Sequence, residues 1–201
     1  MTKTMGEPGW YVPPSHHLSV QLSQRGQRLA AVDDATNVRV YDVETGSVLL
    51  GPITPLSVKE PSPDLLESAE RVPSSRTLVG CLLSADGRRL AVAIDFGRGG
   101  AVYLHHIDTG RLLRIPSRYG YLACLNFSDD GRRLLIGSTD ATVRTWDTET
   151  GLPIGPSLRH HTAVGLAAFS PEGRRIAVCD VDGMLSVWDC ESGALLVPSF
   201  P

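Results

Sequence analysis

Apolar and polar positions alternate along most of this chain in runs of five to seven residues, separated by short turns rich in Gly, Asp, Ser and Thr. The stretch at residues 170–193, SPEGRRIAVCDVDGMLSVWDCESG, reads as turn, strand, turn, strand, turn. Residues 128–151, SDDGRRLLIGSTDATVRTWDTETG, repeat it: Gly131 and Gly173, Trp146 and Trp188, and Gly151 and Gly193 are all 42 residues apart. A spacing held by three markers identifies a structural repeat. The same order of strands recurs earlier, as LSVQLS, RLAAV, NVRVYD and SVLLGPI, and again around RRLAVAI and AVYLHH.

Four units follow, at about residues 17–53, 78–116, 121–158 and 164–200, each a meander of four antiparallel strands. Tight turns call for positive φ at Gly87, Gly131 and Gly173, and at Gly46, Gly110, Gly151 and Gly193 one hairpin later. The second strands, RLAAV, RLAVAI, RLLIG and RIAVC, do not alternate strictly, which predicts burial on both faces. The expected class is all-β: four four-stranded antiparallel meanders stacked as β-propeller blades, forming a partial propeller.

Two segments depart from the repeat. Residues 1–16 read as an N-terminal leader, or the remnant of a preceding unit, with Trp10 and Tyr11 packing on the first repeat. Gly26 and Gly87 are 61 residues apart, and the surplus lies in a proline-rich insertion at 51–77. Within it SPDLLESAER predicts a short helix, capped by Ser62 with Pro63 at its first position. Loops added to a repeat frame often carry individual function, and a merely tolerated insertion reads the same way. Candidate protein-binding residues are therefore Pro61, Pro63, Leu65, Leu66, Glu67 and Arg71, with Phe96 and Arg98 from the swollen DFGRGG turn.

Composition narrows the function classes. A net charge of −3 gives no global basic excess for nucleic acid or an anionic membrane. Apolar runs fall short of a membrane helix, and residues 1–14 lack the apolar core of a secretory signal, so a cytoplasmic protein is expected. The four cysteines have no metal-like spacing to the six histidines, and reduced thiols are expected, with a Cys179–Cys190 disulfide the minority reading. Neither a catalytic elbow nor a phosphate loop is present; GRGG at 97–100 lacks a strand-to-helix context. No cofactor, metal or catalytic residue is expected. The pairs Arg88-Arg89, Arg132-Arg133 and Arg174-Arg175 form a possible positive arc, which Glu44, Asp108, Glu149 and Glu191 should neutralise as a solvated face.

The pattern S-x-[DE]-G-R-R, an apolar strand, an acidic turn, T-V-R-x-W-D and x-[TS]-G resembles the WD-repeat (WD40-type) β-propeller family over about residues 17–200. Trp146-Asp147 and Trp188-Asp189 carry the signature dipeptide, which Tyr41-Asp42 and His105-His106 replace in the first two units. The connector GLPIGPSLRHH is similar to those in WD arrays of bacterial multidomain proteins, some fused to protein kinases. The resemblance implies a structural His–Asp–Trp network: His160 or His161 with Asp182 and Trp188 in the fourth unit, and Asp140 with Trp146 in the third. It also implies a non-enzymatic scaffold that binds other proteins or peptides, or, alternatively, a regulatory segment of a larger enzyme such as a protein kinase.

The family usually closes its ring with about seven blades. Two bare flanks, each of roughly 400 Å² of apolar surface, forgo on the order of 20 kcal/mol at about 25 cal/mol per Å². That exceeds a typical domain stability of about 5–15 kcal/mol. Cover by the rest of a longer array, cover by a second copy completing the ring, and a closed four-blade ring all remain open.

Overall fold

The computed structural model describes residues 10–11, 20–33, 36–54, 77–96, 100–117 and 121–200. Those residues form strands and turns with no helix among them. The helix expected at 62–71, the candidates Pro61, Pro63, Leu65, Leu66, Glu67, Arg71 and Arg98, and the His16-His17 pair lie outside the described residues.

The chain divides into two compact units, residues 14–118 and residues 1–13 with 119–201. The first holds two four-stranded antiparallel sheets in sequential order: β2 (Val20–Leu22), β3 (Arg28–Val32), β4 (Val38–Asp42) and β5 (Val48–Ile53), then β6 (Thr77–Leu83), β7 (Arg89–Asp95), β8 (Gly100–His106) and β9 (Leu112–Ser117). Val38, Val40, Leu90, Val92, Ile94 and Tyr103 build its buried core.

The other unit has the same plan: β10 (Leu122–Phe127), β11 (Arg133–Ser138), β12 (Thr142–Asp147) and β13 (Pro153–Arg159), then β14 (Val164–Phe169), β15 (Arg175–Asp180), β16 (Leu185–Asp189) and β17 (Leu195–Phe200). Leu135, Val143, Val164, Phe169, Ile176 and Val178 lie in its core. One strand is extra. β1 (Trp10–Tyr11) adds antiparallel to the free edge of β10, with Trp10 opposite Leu125 and Tyr11 opposite Cys124, which makes that sheet five-stranded. The aromatic pair was expected on the first repeat; its backbone instead finds the unpaired edge of the third, which offers the ladder of N–H and C=O groups an extended segment needs.

The turns explain the strand boundaries. Gly46, Gly87, Gly110, Gly131, Gly151, Gly173 and Gly193 lie at φ between +67° and +71°, as the spacing required, and Gly26 joins them at +68°. At each first turn a serine closes the hairpin. The hydroxyls of Ser23, Ser84, Ser128 and Ser170 accept the backbone N–H of Arg28, Arg89, Arg133 and Arg175 at 2.9–3.1 Å. At three of the last turns an aspartate does the same work: Asp42, Asp147 and Asp189 accept the N–H of Thr45, Thr150 and Ser192 at 2.7–2.8 Å. The N–H and hydroxyl of Thr45 hold Asp42, and the hydroxyl and N–H of Ser192 hold Asp189, below the usual carboxylate range, because both bonds favour the ionised carboxylate.

Burial on both faces holds for β7 and β11, but not for every second strand. In β15 the side chains alternate between exposed and buried, and β3 leaves Leu29 and Ala31 only half-buried.

Candidate functional site

The most developed polar constructions in this molecule join one sheet to the next within each unit. In the unit at 14–118, Arg28 stands two residues past the turn at Gly26, at the mouth of β3, where strand pleating turns it toward the second sheet. Its Nη1 donates to the Gly87 carbonyl at 2.9 Å, and its Nη2 meets Asp108 Oδ1 at 2.5 Å. Arg88 Nε approaches the other oxygen of Asp108 at 3.5 Å. On β2, the Gln21 amide brackets the end of β6: its Oε1 accepts the Leu83 N–H at 2.6 Å and its Nε2 donates to the Leu83 carbonyl at 3.5 Å.

The other unit uses the same positions with different chemistry. Asn126 on β10, the counterpart of Gln21, accepts the buried N–H of Phe169 at 3.0 Å. Arg133, the counterpart of Arg28, lies with its guanidinium carbon 5.1 Å from the centre of the Phe169 ring, and its Nη1 donates to Cys190 Sγ at 3.4 Å. A side chain at Gly173 would collide with this guanidinium, so the turn glycine also makes room for the incoming arginine. Close approach extends to Gly137, where a Cβ would lie 2.5 Å from Cys124 Sγ and 2.8 Å from Val164 Cγ1. Burial of Cys124 raises its thiol to about 11, so it remains protonated and acts as a small apolar residue.

Of the arginine pairs expected on a solvated face, Arg132, Arg174 and Arg175 are exposed and Arg88 is 69% exposed, whereas Arg133 crosses to the adjacent sheet, as Arg28 does in the other unit. Gln21, Asn126 and Arg28 were not singled out from the sequence. A signal was present: Gln21 and Asn126 are 105 residues apart, as are Arg28 and Arg133.

Of the residues implied for a His–Asp–Trp network, the structure brings His160 and Trp188 together. Trp188 Nε1 donates to His160 Nε2 at 3.1 Å and to Ser186 Oγ at 2.9 Å, with the two rings tilted at 59°. The third partner is the buried Ser186. Asp182 is exposed on the turn, where its N–H donates to Asp180 Oδ1 at 3.1 Å, and His161 is exposed beside His160. Desolvation lowers the His160 pKa, against the pull of Asp180, and keeps Nε2 available to accept. In the third sheet Asp140 accepts from the Thr142 N–H and hydroxyl at 3.0 and 2.5 Å, while Trp146 Nε1 is buried without a hydrogen-bond partner among the described residues. Arg144 stands where the fourth sheet has Ser186, and 118–121 supply no histidine. Phe96 packs against the core of its own unit.

His105, in the place of the signature tryptophan, is pushed down to about 4 by burial, and its Nε2 is buried without a partner among the described residues. None of the four cysteines is in a disulfide. Among the described residues no cluster of His, Cys, Asp and Glu is arranged to hold a metal ion, and no helix is long and apolar enough to cross a membrane.

Strand–turn units of about 42 residues with Trp-Asp closing the third strand occur twice, in the third and fourth sheets. A family model described as "WD domain, G-beta repeat" matches residues 112–147 and 155–189. These are WD40 repeats. Among solved structures, a chain of "Crystal Structure of Mitotic Checkpoint Complex" is similar in fold, with a TM-score of 0.65 over 95% of this chain and 18% identity. This chain spans about half of that one, 54% of its length. Curated protein sequences contain no match. WD40 repeats are generally protein-interaction scaffolds and typically non-catalytic.

Proposed function

We propose that this chain is a non-enzymatic scaffold that docks other proteins or peptides on its WD40 sheets. The observation that carries this reading is the division of labour among side chains. The carboxylates of Asp42, Asp147 and Asp189 are engaged by their own turns, and His160 serves Trp188. Apolar side chains, by contrast, stand in solvent: Leu22, Val43, Val181 and Leu185 are all exposed. Groups that a catalyst would use are held by local structure, and surface that a protein partner would cover is left open. The extended segment β1, added to the edge of β10, is an intramolecular instance of strand addition, a mode by which sheets take peptides.

A second reading, a regulatory segment of a larger enzyme, is what the resemblance of the connector at 151–161 to WD arrays of bacterial multidomain proteins, some fused to protein kinases, implies. The scaffold reading is tested by assaying the purified chain on a broad panel of hydrolase and transferase substrates, with photo-crosslinkers placed at Leu22, at Leu185 and at the exposed polar Arg144. The scaffold reading expects no turnover, and polypeptide adducts at the two apolar positions in excess of Arg144. Turnover by the chain overturns it.

A further inference from the structure

Strands β2, β6, β10 and β14 each pair with the following strand along one edge, and along the other edge every second residue aims its N–H and C=O outward. Two of these outer edges are closed by side chains of the neighbouring sheet in the same unit. On β6 the outward residue is Leu83, and both its groups are taken by the Gln21 amide. On β14 the outward N–H of Phe169 goes to Asn126 Oδ1 at 3.0 Å, and that of Ala167 faces the Cys124 thiol. β2 has no such cap among the described residues, and at three residues it is the shortest of the four, a poor template for pairing.

The edge of β10 is treated differently. β10 sets Phe127 opposite Leu134 and Leu125 opposite Ile136, as β14 sets Phe169 opposite Ile176 and Ala167 opposite Val178, so Leu125 and Phe127 point outward. Neither is closed by a side-chain amide among the described residues. Instead β1 lies along this edge, with Trp10 opposite Leu125 and Tyr11 opposite Cys124. The edge is longer than its cover. A register shift between Leu122 and Cys124 ends its regular part at Cys124, and from there it runs to Phe127, past Leu125. In the register of β1 the residue due opposite Phe127 is Pro8, which has no N–H to give the Phe127 carbonyl.

We propose that the β10 edge from Cys124 to Phe127 is a strand-addition site for an extended peptide of another protein, free of proline over the paired positions, and that residues 10–11 are a partial competitor carried in the same chain. Such a peptide pairs at both Leu125 and Phe127, where β1 pairs at Leu125. The ligand is an extended segment rather than a folded face because the groups left open are main-chain N–H and C=O, which another main chain satisfies in register. The inference rests on the reading of these sheets as protein-docking modules and names the edge and the form of ligand that it takes.

Fluorescence anisotropy tests it on the full chain, the probe being a labelled peptide of residues 6–12 that carries Pro8→Ala. Trp10→Pro in the chain removes the N–H that β1 offers Leu125, so the edge stands open and probe affinity should rise at least roughly tenfold over the unsubstituted chain. Pro8→Ala in the chain supplies the missing donor; it should weaken probe binding and slow exchange of the Phe127 amide with no probe present. The probe N-methylated at Trp10 lacks the pairing N–H and should not bind. Bound probe should protect the amides of Leu125 and Phe127 and leave those of Leu83 and Phe169 unchanged. Equal affinity for the Trp10→Pro and Pro8→Ala chains, binding undiminished by N-methylation, protection elsewhere than Cys124–Phe127, or no binding to any of the chains overturns the proposal. Were Trp10→Pro to disturb folding, the unsubstituted and Pro8→Ala chains with the two probes decide it by themselves. These failures leave the scaffold reading standing, whereas turnover overturns that reading whatever the probe does.

Discussion

Arg28 and Arg133 occupy the same place in the repeat and do the same mechanical task by different chemistry. Each follows a turn glycine by two residues and crosses to the neighbouring sheet. Arg28 ends on a carboxylate, Asp108, and Arg133 ends on the ring of Phe169 and the Cys190 thiol. With side-chain exposures of 22% and 44%, the Arg28–Asp108 pair is of the kind worth at most about 1 kcal/mol and weakened by salt. The Arg133 contact draws on the ring face and on the packed stem, roughly 0.5–1 kcal/mol with little dependence on salt. Backbone geometry therefore delivers the guanidinium, and single residues of the receiving sheet decide what it meets.

The contrast between the two units predicts, first, a difference in acid response. His105 is held neutral down to about pH 4, whereas the unfolded chain protonates this histidine near 6.5. Between those values the unfolded state binds more protons, so stability falls as pH falls. At about 1.4 kcal/mol per pH unit the loss approaches roughly 3 kcal/mol. Hydrogen exchange in β8 should accelerate from pH 7 to 4, after correction for intrinsic rates, and His105→Phe should flatten that response; an unchanged slope would show that His105 is not its source.

A smaller effect separates the two amides. Asn126→Ala leaves the buried Phe169 N–H without its acceptor, at a cost of about 1–3 kcal/mol. Gln21→Ala, at a half-buried site that water can reach, should cost about 0.5–1.5 kcal/mol. Denaturant melts of the two variants, read by exchange in β14 and β6, give the ordering. Equal losses would break the analogy between solvated and sealed versions of one clamp.

Smallest is the salt response of the arginines. Arg28→Ala should cost up to about 1 kcal/mol at low ionic strength and less as salt rises from about 0.05 to 0.5 M, while the cost of Arg133→Ala stays constant. Parallel salt dependence of the two would mean that both contacts are electrostatic at heart.

Much of this architecture was legible from 42-residue spacing, because period-2 strands and positive-φ turns are local properties that each repeat states afresh. The eight turn glycines and the strands of RRLLIGS and TVRTWD needed no knowledge of their neighbours. The site was less legible. Gln21 and Asn126 are ordinary polar residues in alternating strands, and only the approach of a second sheet turns them into clamps. The WD network showed the same limit: the histidine and tryptophan could be placed, whereas Ser186 in place of Asp182 depends on which side chain points at the ring.

β11 and β15 mark the boundary between the two kinds of information. RLLIGS and RIAVCD are alike in sequence, and the chain alone determines that both are second strands following an S-x-x-G turn. Only tertiary structure decides that β11 is covered on both faces while β15 exposes Arg175 and Ala177. The reason is physical: strand formation depends on residues a few positions apart, but burial depends on whether another sheet lies within van der Waals reach, and the repeat encodes that nowhere in its own 42 residues.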